Sequence, residues 1–222
     1  MRGFLTEAGK SMFRITDIDR LRIRTDGAGI RTLIVTHGCP LRCRYCTNPQ
    51  TRSTSHRFQK YTAAGLYEEI ILDRPYFLAS GGGVTFGGGE PLLYAADLLR
   101  FAELVRGEFT LFAETSLAVP KRKLKAAAAC VDHFIVDIKT ADEEQYAAYT
   151  GGTLSLALRN LEFLLETAGK ERITVRIPEI PGYTSPEDQE RTKEKLESMG
   201  LSQFDLFRYV VFEKEKTADD RI

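Results

Sequence analysis

Short runs of apolar and β-branched residues recur along the chain, and segments with helical periodicity lie between them. Six such runs are present, at Thr32–His37, Gly83–Phe86, Phe109–Ala113, His133–Asp137, Ile173–Ile177 and Leu206–Phe212. They do not alternate strictly between apolar and polar residues, which is typical of parallel strands that are buried on both faces. The pattern therefore predicts six strands of one buried parallel sheet.

The segments between these runs predict the helices that connect the strands. The clearest are Thr62–Leu72, Leu92–Val105, Leu154–Thr167 and Pro186–Met199. In the third, leucines recur at helical spacing, and the fourth follows a serine cap and has proline in its first turn. Strands that alternate with helices predict an α/β fold, and six units are too few for a closed eight-stranded barrel. We expect one domain over residues 1–222, with a lead-in segment at 1–31 and the core at 32–213.

Composition and charge restrict the class of protein. The chain has 222 residues with 31 Lys+Arg and 31 Asp+Glu, so its formal net charge is zero and no basic excess indicates nucleic-acid binding. The first residues lack the apolar core of a signal peptide. No stretch approaches the ~18 apolar residues that cross a membrane. Four cysteines do not make a secreted disulfide framework in a chain of this length. We therefore expect a cytoplasmic protein in a reducing, low-oxygen environment, without nucleic-acid or membrane partners.

Three cysteines lie close together after the first predicted strand, at Cys39, Cys43 and Cys46. Three thiolates can bind three irons of a 4Fe–4S cubane, whereas an electron-transfer cluster of this type takes four cysteines. The remaining iron then has an open coordination position, which favours catalysis over a structural role. A zinc site with His37 as fourth ligand is the alternative, although zinc sites usually contain paired cysteine hooks. The distant Cys130 is interpreted as a small buried apolar residue.

Charged or glycine-rich segments follow the next predicted strands, at the ends where parallel α/β folds place their active sites. These segments are Gly87–Pro91, Glu114–Ser116 and Asp137–Lys139, and a further charged residue, Arg176, lies inside the predicted strand Ile173–Ile177. Charged groups at such positions cost free energy unless a ligand or a partner neutralises them. Each segment also has a structural interpretation: a tight turn for the glycines, a helix N-terminal carboxylate for Glu90, and ion pairs for the other charged residues. Their coincidence with the cysteines predicts one common site.

The cysteine spacing C-x3-C-x2-C, with Tyr45 before the last cysteine, resembles the signature of the radical S-adenosylmethionine (radical SAM) enzymes. Within them, the chain is similar to the glycyl radical enzyme activases. The segments that carry this similarity are Asp26–Arg31 (D-G-A-G-I-R), Gly38–Asn48, Val84–Pro91, Asp137–Lys139, Arg176 and Pro181–Tyr183. The chain departs from the family pattern at Ala28, Thr47 and Gly87, where proline, histidine and serine are usual.

A further departure concerns histidine and cysteine. Activases without extra clusters usually carry a histidine near the last strand, but this chain has none after His133. Arg208 and Tyr209 are the candidates for its place. The ferredoxin-like segment with additional cysteines that many activases contain is also absent from the sequence. The resemblance therefore points to the compact subgroup with a single cluster.

The resemblance implies a partial (β/α)6 barrel of parallel strands that holds one 4Fe–4S cluster through the three cysteines, with S-adenosylmethionine (SAM) bound at the open iron. The implied cofactor-binding residues are Tyr45, Asn48, Gly88, Gly89, Glu90, Glu114, Asp137, Lys139 and Arg176. The glycines and the Glu90 region would contact the SAM amino group. Lys139 and Arg176 would face its carboxylate or ribose. A monovalent cation is a further expectation from the resemblance, in the region where Glu114, Thr115 and Asp137 offer oxygens.

The activity implied is reductive cleavage of SAM to a 5′-deoxyadenosyl radical, which then abstracts a Cα hydrogen from a glycine of a partner enzyme. The partners expected are that glycyl radical enzyme and a flavodoxin- or ferredoxin-like electron donor. One alternative is a radical SAM enzyme that acts on a small molecule, such as a deazaguanine synthase, although this leaves Asp26–Arg31 unexplained. The other alternative is a non-enzymatic metal-binding protein or electron carrier.

Overall fold

The strands of the computed structural model, which describes residues 12–210, belong to one eight-stranded sheet. They are β1 (Phe13–Arg24), β2 (Gly27–Thr36), β3 (Gln59–Tyr61), β4 (Gly83–Gly88), β5 (Thr110–Thr115), β6 (His133–Asp137), β7 (Ile173–Glu179) and β8 (Phe204–Arg208). Their order in the sheet is β3-β1-β2-β4-β5-β6-β7-β8. The six strands from β2 to β8 in this order are parallel, whereas β1 is antiparallel to both of its neighbours.

Helices connect most of the parallel strands. They are α1 (Ala63–Ile70), α2 (Arg74–Ser80), α3 (Ala95–Val105), α4 (Lys121–Ala128), α5 (Glu143–Thr150), α6 (Leu154–Ala168) and α7 (Pro186–Ser198). Short 3-10 turns lie at Pro49–Arg52, Ile71–Asp73, Pro91–Tyr94 and Lys170–Arg172. No helix in residues 12–210 is both long enough and apolar enough to cross a bilayer.

The predicted partial barrel of six parallel strands is confirmed, because each predicted run corresponds to one of the parallel strands. In the described part of the chain the two edge strands of the sheet, β3 and β8, do not pair with each other, so the barrel is open on one side. The run predicted for the last strand continues to Phe212, and its final two residues lie outside the described residues. The same holds for residues 1–11 and 211–222 of the predicted single domain.

Within the predicted lead-in segment, residues 13–31 form β1 and the start of β2. Strand β1 alternates between buried and exposed positions at its start, as an antiparallel strand with one solvated face does. A search for continuous apolar runs does not detect such a strand. Strand β3 is three residues long and has no pattern that identifies it.

The four predicted helices are present, and three further helices, α2, α4 and α5, were not predicted. The predicted segment at Leu92–Val105 is divided into a 3-10 turn and α3. The serine cap predicted before α7 is confirmed and is part of a capping box, since the side chains of Ser185 and Asp188 each accept a hydrogen bond from the other's main-chain N–H group. Helix α7 buries few side chains, which agrees with its highly charged sequence.

A buried arginine fixes the N-terminal ends of three neighbouring strands. Arg31 on β2 is 1% exposed and donates hydrogen bonds to Thr85 Oγ1 (2.6 Å), the Val84 carbonyl (2.7 Å) and Thr110 Oγ1 (3.0 Å). Its guanidinium also lies 3.7 Å from the centre of the Phe112 ring. Because these partners satisfy the buried charge, Arg31 serves as a structural residue that joins β2, β4 and β5.

Candidate functional site

The three clustered cysteines lie on a loop that follows β2 and is held by main-chain hydrogen bonds. The N–H of Arg42 donates to the Thr150 carbonyl (2.7 Å) and that of Arg44 donates to the Tyr149 carbonyl (3.0 Å). Both acceptors belong to the last turn of α5, where carbonyl groups have no partner within the helix. At the start of the loop, the Gly38 N–H donates to the Thr51 carbonyl (2.7 Å). The loop that carries the cysteines is therefore fixed from both sides.

The thiols of Cys39, Cys43 and Cys46 are half-buried and line a cavity of about 130 Å³. Burial raises the pKa of Cys39 to about 12 and also raises the pKa of Cys43. The raised pKa reflects the free-energy cost of burying a charged thiolate. Iron would favour the thiolate forms because its positive charge offsets that cost. The donor set fits a cluster, since it supplies three thiols on one loop and a cubane binds each thiolate at a different iron.

A single metal ion would require a tighter arrangement. Zinc binds sulfur at about 2.3 Å, so its tetrahedral ligands must converge closely on one point. Within residues 12–210, no group of three His, Cys, Asp or Glu side chains converges in this way. The ring of His37, the proposed fourth zinc ligand, packs against Phe58 with the ring centres 4.7 Å apart and does not line the cysteine cavity.

The glycine segment after β4 packs directly against the base of the cysteine loop. The Gly89 N–H donates to the Thr36 carbonyl (3.1 Å) and the Glu90 N–H donates to the Gly38 carbonyl (2.8 Å). A Cβ atom on Gly89 would lie 2.3 Å from the Gly38 oxygen, so only glycine fits here. Gly88, with φ +81°, lines the same cavity as the cysteines. Both predicted glycines are thus at the site.

Glu90 is the predicted site residue whose side chain lines neither this cavity nor the larger one described below. Its carboxylate is buried and accepts hydrogen bonds from the Thr115 hydroxyl (2.8 Å), the Ser116 hydroxyl (2.8 Å) and the Ser116 N–H (3.0 Å). Burial raises the pKa of Glu90, although these donors favour its ionised form. The side chain therefore joins the glycine segment to the end of β5.

The predicted ion pair at the end of β6 is formed, with Lys139 Nζ 3.2 Å from Asp137 Oδ1. The Lys139 side chain is 13% exposed. Burial lowers the pKa of Lys139, but the carboxylate of Asp137 more than offsets this and the pKa is raised above its usual value. Lys139 therefore carries a positive charge beside the cysteine cavity, where an anionic ligand group would be favoured.

A second ion pair joins Glu114 on β5 to Arg176 on β7, at 2.8 Å. Burial raises the pKa of Glu114 to about 7 despite this partner. Arg176 also donates to the Thr25 carbonyl in the turn between β1 and β2, and its Nε lies 3.3 Å from Asp205 on β8. Arg176 therefore bridges the open side of the barrel.

A larger cavity of about 510 Å³ adjoins the cysteine cavity. The residues that line both cavities are Thr47, Asn48, Gly88, Glu114, Asp137, Lys139 and Tyr209. Arg176 lines only the larger one, together with Asp26 at the start of the D-G-A-G-I-R segment. Asp26 is 4% exposed and forms an ion pair with Arg22. The two cavities thus connect the cysteines to the β1–β2 turn.

Aromatic side chains cover one side of the cysteine loop. The ring of Tyr45 lies 5.9 Å from that of Tyr183 and 6.2 Å from that of Tyr149, measured between ring centres. Tyr209, just after β8, lines both cavities, and its hydroxyl donates to the Tyr45 carbonyl. The other candidate for the position of the missing histidine, Arg208, has a 76% exposed side chain and lies 3.6 Å from Glu179.

Several residues that line the site were not predicted from the sequence. They are Leu41 and Tyr149 in the cysteine cavity, and Arg22, Arg24, Thr25, Leu33, Asp205 and Phe207 in the larger one. Tyr149 lies on α5, a helix with no clear apolar periodicity, and Arg22 and Arg24 lie on the undetected strand β1. No motif marks these positions. Cys130 lies outside both cavities and packs against the core, in agreement with its predicted role.

Comparison with known proteins agrees with this geometry. The family described as the Radical SAM superfamily matches residues 33–196. The pyruvate formate-lyase-activating enzyme of Staphylococcus aureus strain USA300 is 34% identical over 170 residues, which cover 73% of this chain and 67% of that enzyme. The same enzyme from strain NCTC 8325 matches equally well.

Solved structures show the same fold at low sequence identity. Streptococcus suis SuiB bound to S-adenosylmethionine has a TM-score of 0.61 and 16% identity, over 79% of this chain and 39% of SuiB. QueE from Escherichia coli has a TM-score of 0.50 and 14% identity, over 88% of this chain and 93% of QueE. The family match and the curated relatives together show that this chain belongs to the radical SAM superfamily and, within it, to the glycyl radical enzyme activase family.

Proposed function

We propose that this protein activates a glycyl radical enzyme by taking a hydrogen atom from the Cα of a glycine in that partner. The observation that carries this proposal is the continuity of the cysteine cavity with the larger cavity that Asp26 lines. The resemblance to activases rests most specifically on the segment Asp26–Arg31, whose first residue lines the larger cavity next to the cysteines. The 34% identity to the pyruvate formate-lyase-activating enzyme supports the same conclusion.

Three cysteines hold the cofactor in this proposal, and the other residues position SAM. The bound 4Fe–4S cluster and SAM supply a 5′-deoxyadenosyl radical. Lys139 offers a positive charge at the border of the two cavities, which suits the carboxylate of SAM. Gly88 and Gly89 line the cysteine cavity and have no side chains, so the amino group of a ligand can approach their main-chain atoms closely.

The larger cavity would receive the glycine-bearing segment of the partner. Its lining is largely polar and charged, with Asp26, Glu114 and Arg176 among its residues. Such groups can bond the main-chain N–H and C=O groups of an extended peptide, which need partners when they leave water. Glycine has no Cβ, so its Cα can approach a reactive group more closely than that of another residue. The tyrosines beside the cysteine loop would shield the radical from solvent.

The predicted monovalent cation also belongs to this proposal. Glu114 and Asp137 line both cavities, which places two carboxylates at the same site. Each already has a cationic partner, Arg176 and Lys139 respectively. A cation would therefore bind only where SAM draws Lys139 away from Asp137. Replacing potassium and sodium with a bulky organic cation should then lower SAM affinity, and unchanged affinity would remove the cation from the proposal.

The experiment that tests the proposal uses an anaerobically reconstituted protein with SAM, a reductant and a purified pyruvate formate-lyase as probe. The partner should acquire a glycyl radical, visible as a doublet in its EPR spectrum. Deuterium placed at the Cα of the partner's glycines should appear in 5′-deoxyadenosine. If SAM is cleaved efficiently but deuterium is transferred only from a soluble metabolite, the small-molecule alternative is correct and the activase proposal fails.

A further inference from the structure

The segment that contains the cysteines differs in charge from the rest of the chain. From Gly27 to Tyr67 the sequence contains no Asp or Glu, although the whole chain has equal numbers of basic and acidic residues. The basic residues of this segment are Arg31, Arg42, Arg44, Arg52, Arg57 and Lys60. Arg31 is buried in the barrel, and the others lie at least partly at the surface. The segment therefore presents an unbalanced positive charge to solvent.

Three of these arginines surround the cysteine loop, and we call them the basic collar: Arg42, Arg44 and Arg52. Arg42 and Arg44 occupy the intervals between the cysteines and are exposed. Arg52 lies on the following 3-10 turn and folds back, with Nη1 3.5 Å from the Leu41 carbonyl. Two of the three collar arginines are thus exposed on the same loop whose three thiols line the cavity.

The collar has no acidic partners of its own. In residues 12–210 none of its three guanidinium groups forms an ion pair, whereas Arg20, Arg74 and Arg176 are all paired. The carbonyl groups at the end of α5 are satisfied by the main-chain N–H groups of Arg42 and Arg44, so the side chains are not needed for that contact. Unpaired like charges on one fixed loop produce a positive potential that attracts acidic partners.

We propose that the basic collar is the docking surface for an acidic one-electron carrier protein. This inference rests on the proposed function, which requires that the cluster held by the three cysteines be reduced. In the step concerned, the carrier loses one electron and the cluster gains it, and no bond is formed or broken. Electron transfer slows steeply with distance, so the carrier must dock where little protein separates it from the thiols. The collar is such a place, because Arg42 and Arg44 are the immediate sequence neighbours of Cys43, whose thiol lines the cysteine cavity.

The charge of the collar identifies the kind of carrier. Complementary charges speed the encounter of two proteins by roughly 10- to 1000-fold at low ionic strength. Salt weakens this effect, since the Debye length is about 8 Å at physiological ionic strength. A carrier with an acidic rim around its redox centre would therefore be favoured over a neutral or basic one. The alternative role of the collar is to balance the charge of the bound cluster, which would not depend on a carrier.

The test uses a flavodoxin in its fully reduced anionic form as the probe, with the reconstituted enzyme bound to SAM. The variant carries Arg42→Glu and Arg44→Glu. The matched control carries Arg106→Glu and Arg122→Glu, two exposed arginines outside the collar that form no ion pair in residues 12–210. Cluster reduction by flavodoxin, followed by stopped flow, should slow at least tenfold in the collar variant at low salt and stay unchanged in the control. Calorimetric titration should show weaker flavodoxin binding to the collar variant only.

Two further measurements separate this inference from the proposed function. SAM cleavage driven by dithionite should proceed equally in the wild type and the collar variant, because a small reductant needs no docking surface. The rate of reduction of the wild type by flavodoxin should fall as salt is added. A wild-type rate that is insensitive to salt, or equal rates for the collar variant and the wild type, overturns the docking proposal. Absence of SAM cleavage with dithionite in the wild type would instead refute the proposed function.

Discussion

The hydroxyl of Tyr209 donates a hydrogen bond to the main-chain carbonyl of Tyr45 and thereby joins the chain beyond β8 to the cysteine loop. The acceptor lies between Cys43 and Cys46 in sequence. The Tyr209 N–H in turn donates to the Glu179 carbonyl (2.8 Å), which continues the pairing of β8 with β7. Burial raises the pKa of Tyr209, so the phenol keeps its proton and remains a donor at neutral pH. An edge strand of the barrel thus supports the loop that carries the proposed ligands.

Removal of this hydroxyl should loosen the cysteine loop. In Tyr209→Phe the ring keeps its packing but the Tyr45 carbonyl loses its donor. A hydrogen bond of this kind contributes about 0.5–1.5 kcal/mol, so SAM affinity should fall about two- to tenfold. The measurement is a SAM titration of the reconstituted protein, together with the rate at which a chelator removes iron.

The control for this variant is Tyr183→Phe. Tyr183 contacts the rings of Tyr45 and Tyr149, but its hydroxyl forms no hydrogen bond in residues 12–210. SAM affinity and iron loss should therefore match the wild type. Equal behaviour of the two variants would show that the Tyr209 hydroxyl does not support the loop.

Replacement of any clustered cysteine should abolish the cluster. Cys39→Ser, Cys43→Ser and Cys46→Ser each remove one thiol from the cavity that contains all three. Anaerobic reconstitution should then give much less than four irons per chain and no reductive SAM cleavage. Cys130→Ser is the matched control, because this residue lies outside the cavity. It should keep both iron and cleavage, and loss of the cluster in this variant would contradict the assignment.

Removal of the Lys139 charge should weaken SAM binding without loss of iron. The single variant Lys139→Met removes the charge but also leaves Asp137 without its ion-pair partner. The double variant Lys139→Met with Asp137→Asn removes both charges, so it tests the contact with SAM without an unpaired carboxylate. A charge-assisted hydrogen bond is worth about 1.5–3 kcal/mol, so both variants should lose roughly ten- to hundredfold in affinity. SAM titration by calorimetry measures this effect. Wild-type affinity in the double variant would place Lys139 outside the SAM site.

A methyl group on Gly89 should disturb the contact between the glycine segment and the cysteine loop. The added Cβ would lie 2.3 Å from the Gly38 oxygen and 2.6 Å from the Thr36 oxygen. Such overpacking costs about 1–3 kcal/mol of unfolding free energy. Urea unfolding of Gly89→Ala should show this loss, and iron incorporation should fall as well.

The control for this change is Gly65→Ala in α1, where the nearest atom to the added Cβ is Thr62 Oγ1 at 3.3 Å. This variant should be as stable as the wild type or slightly more stable, because alanine favours a helix. If Gly89→Ala retained full stability and iron content, the close approach of these two segments would not matter for the site.

The sequence alone determined the parallel part of the sheet and the segments that meet at the candidate site. Strands that pack on both faces are largely apolar, so β2, β4, β5, β6 and β7 were visible as runs. Strand β8 was visible too, but the prediction that it is buried on both faces is wrong, because it lies at the edge of the sheet and its residues are partly or fully exposed. The carboxyl ends of parallel strands meet at one edge of a sheet. The cysteines, the glycines, Asp137 and Lys139 follow such strands in the sequence, and their order along the chain was therefore enough to assign them to one site.

Only the tertiary structure decided how these groups are partnered and what completes the site. The sequence could not show that the Glu90 carboxylate accepts hydrogen bonds from Thr115 and Ser116, because those donors lie about 25 residues away along the chain. It could not show that Arg176 reaches the Thr25 carbonyl or that Tyr209 reaches Tyr45, which are 151 and 164 residues apart. Such contacts depend on how the open barrel brings its two edges together. Local periodicity carries no information about that geometry, because it reports only the burial of each strand on its own.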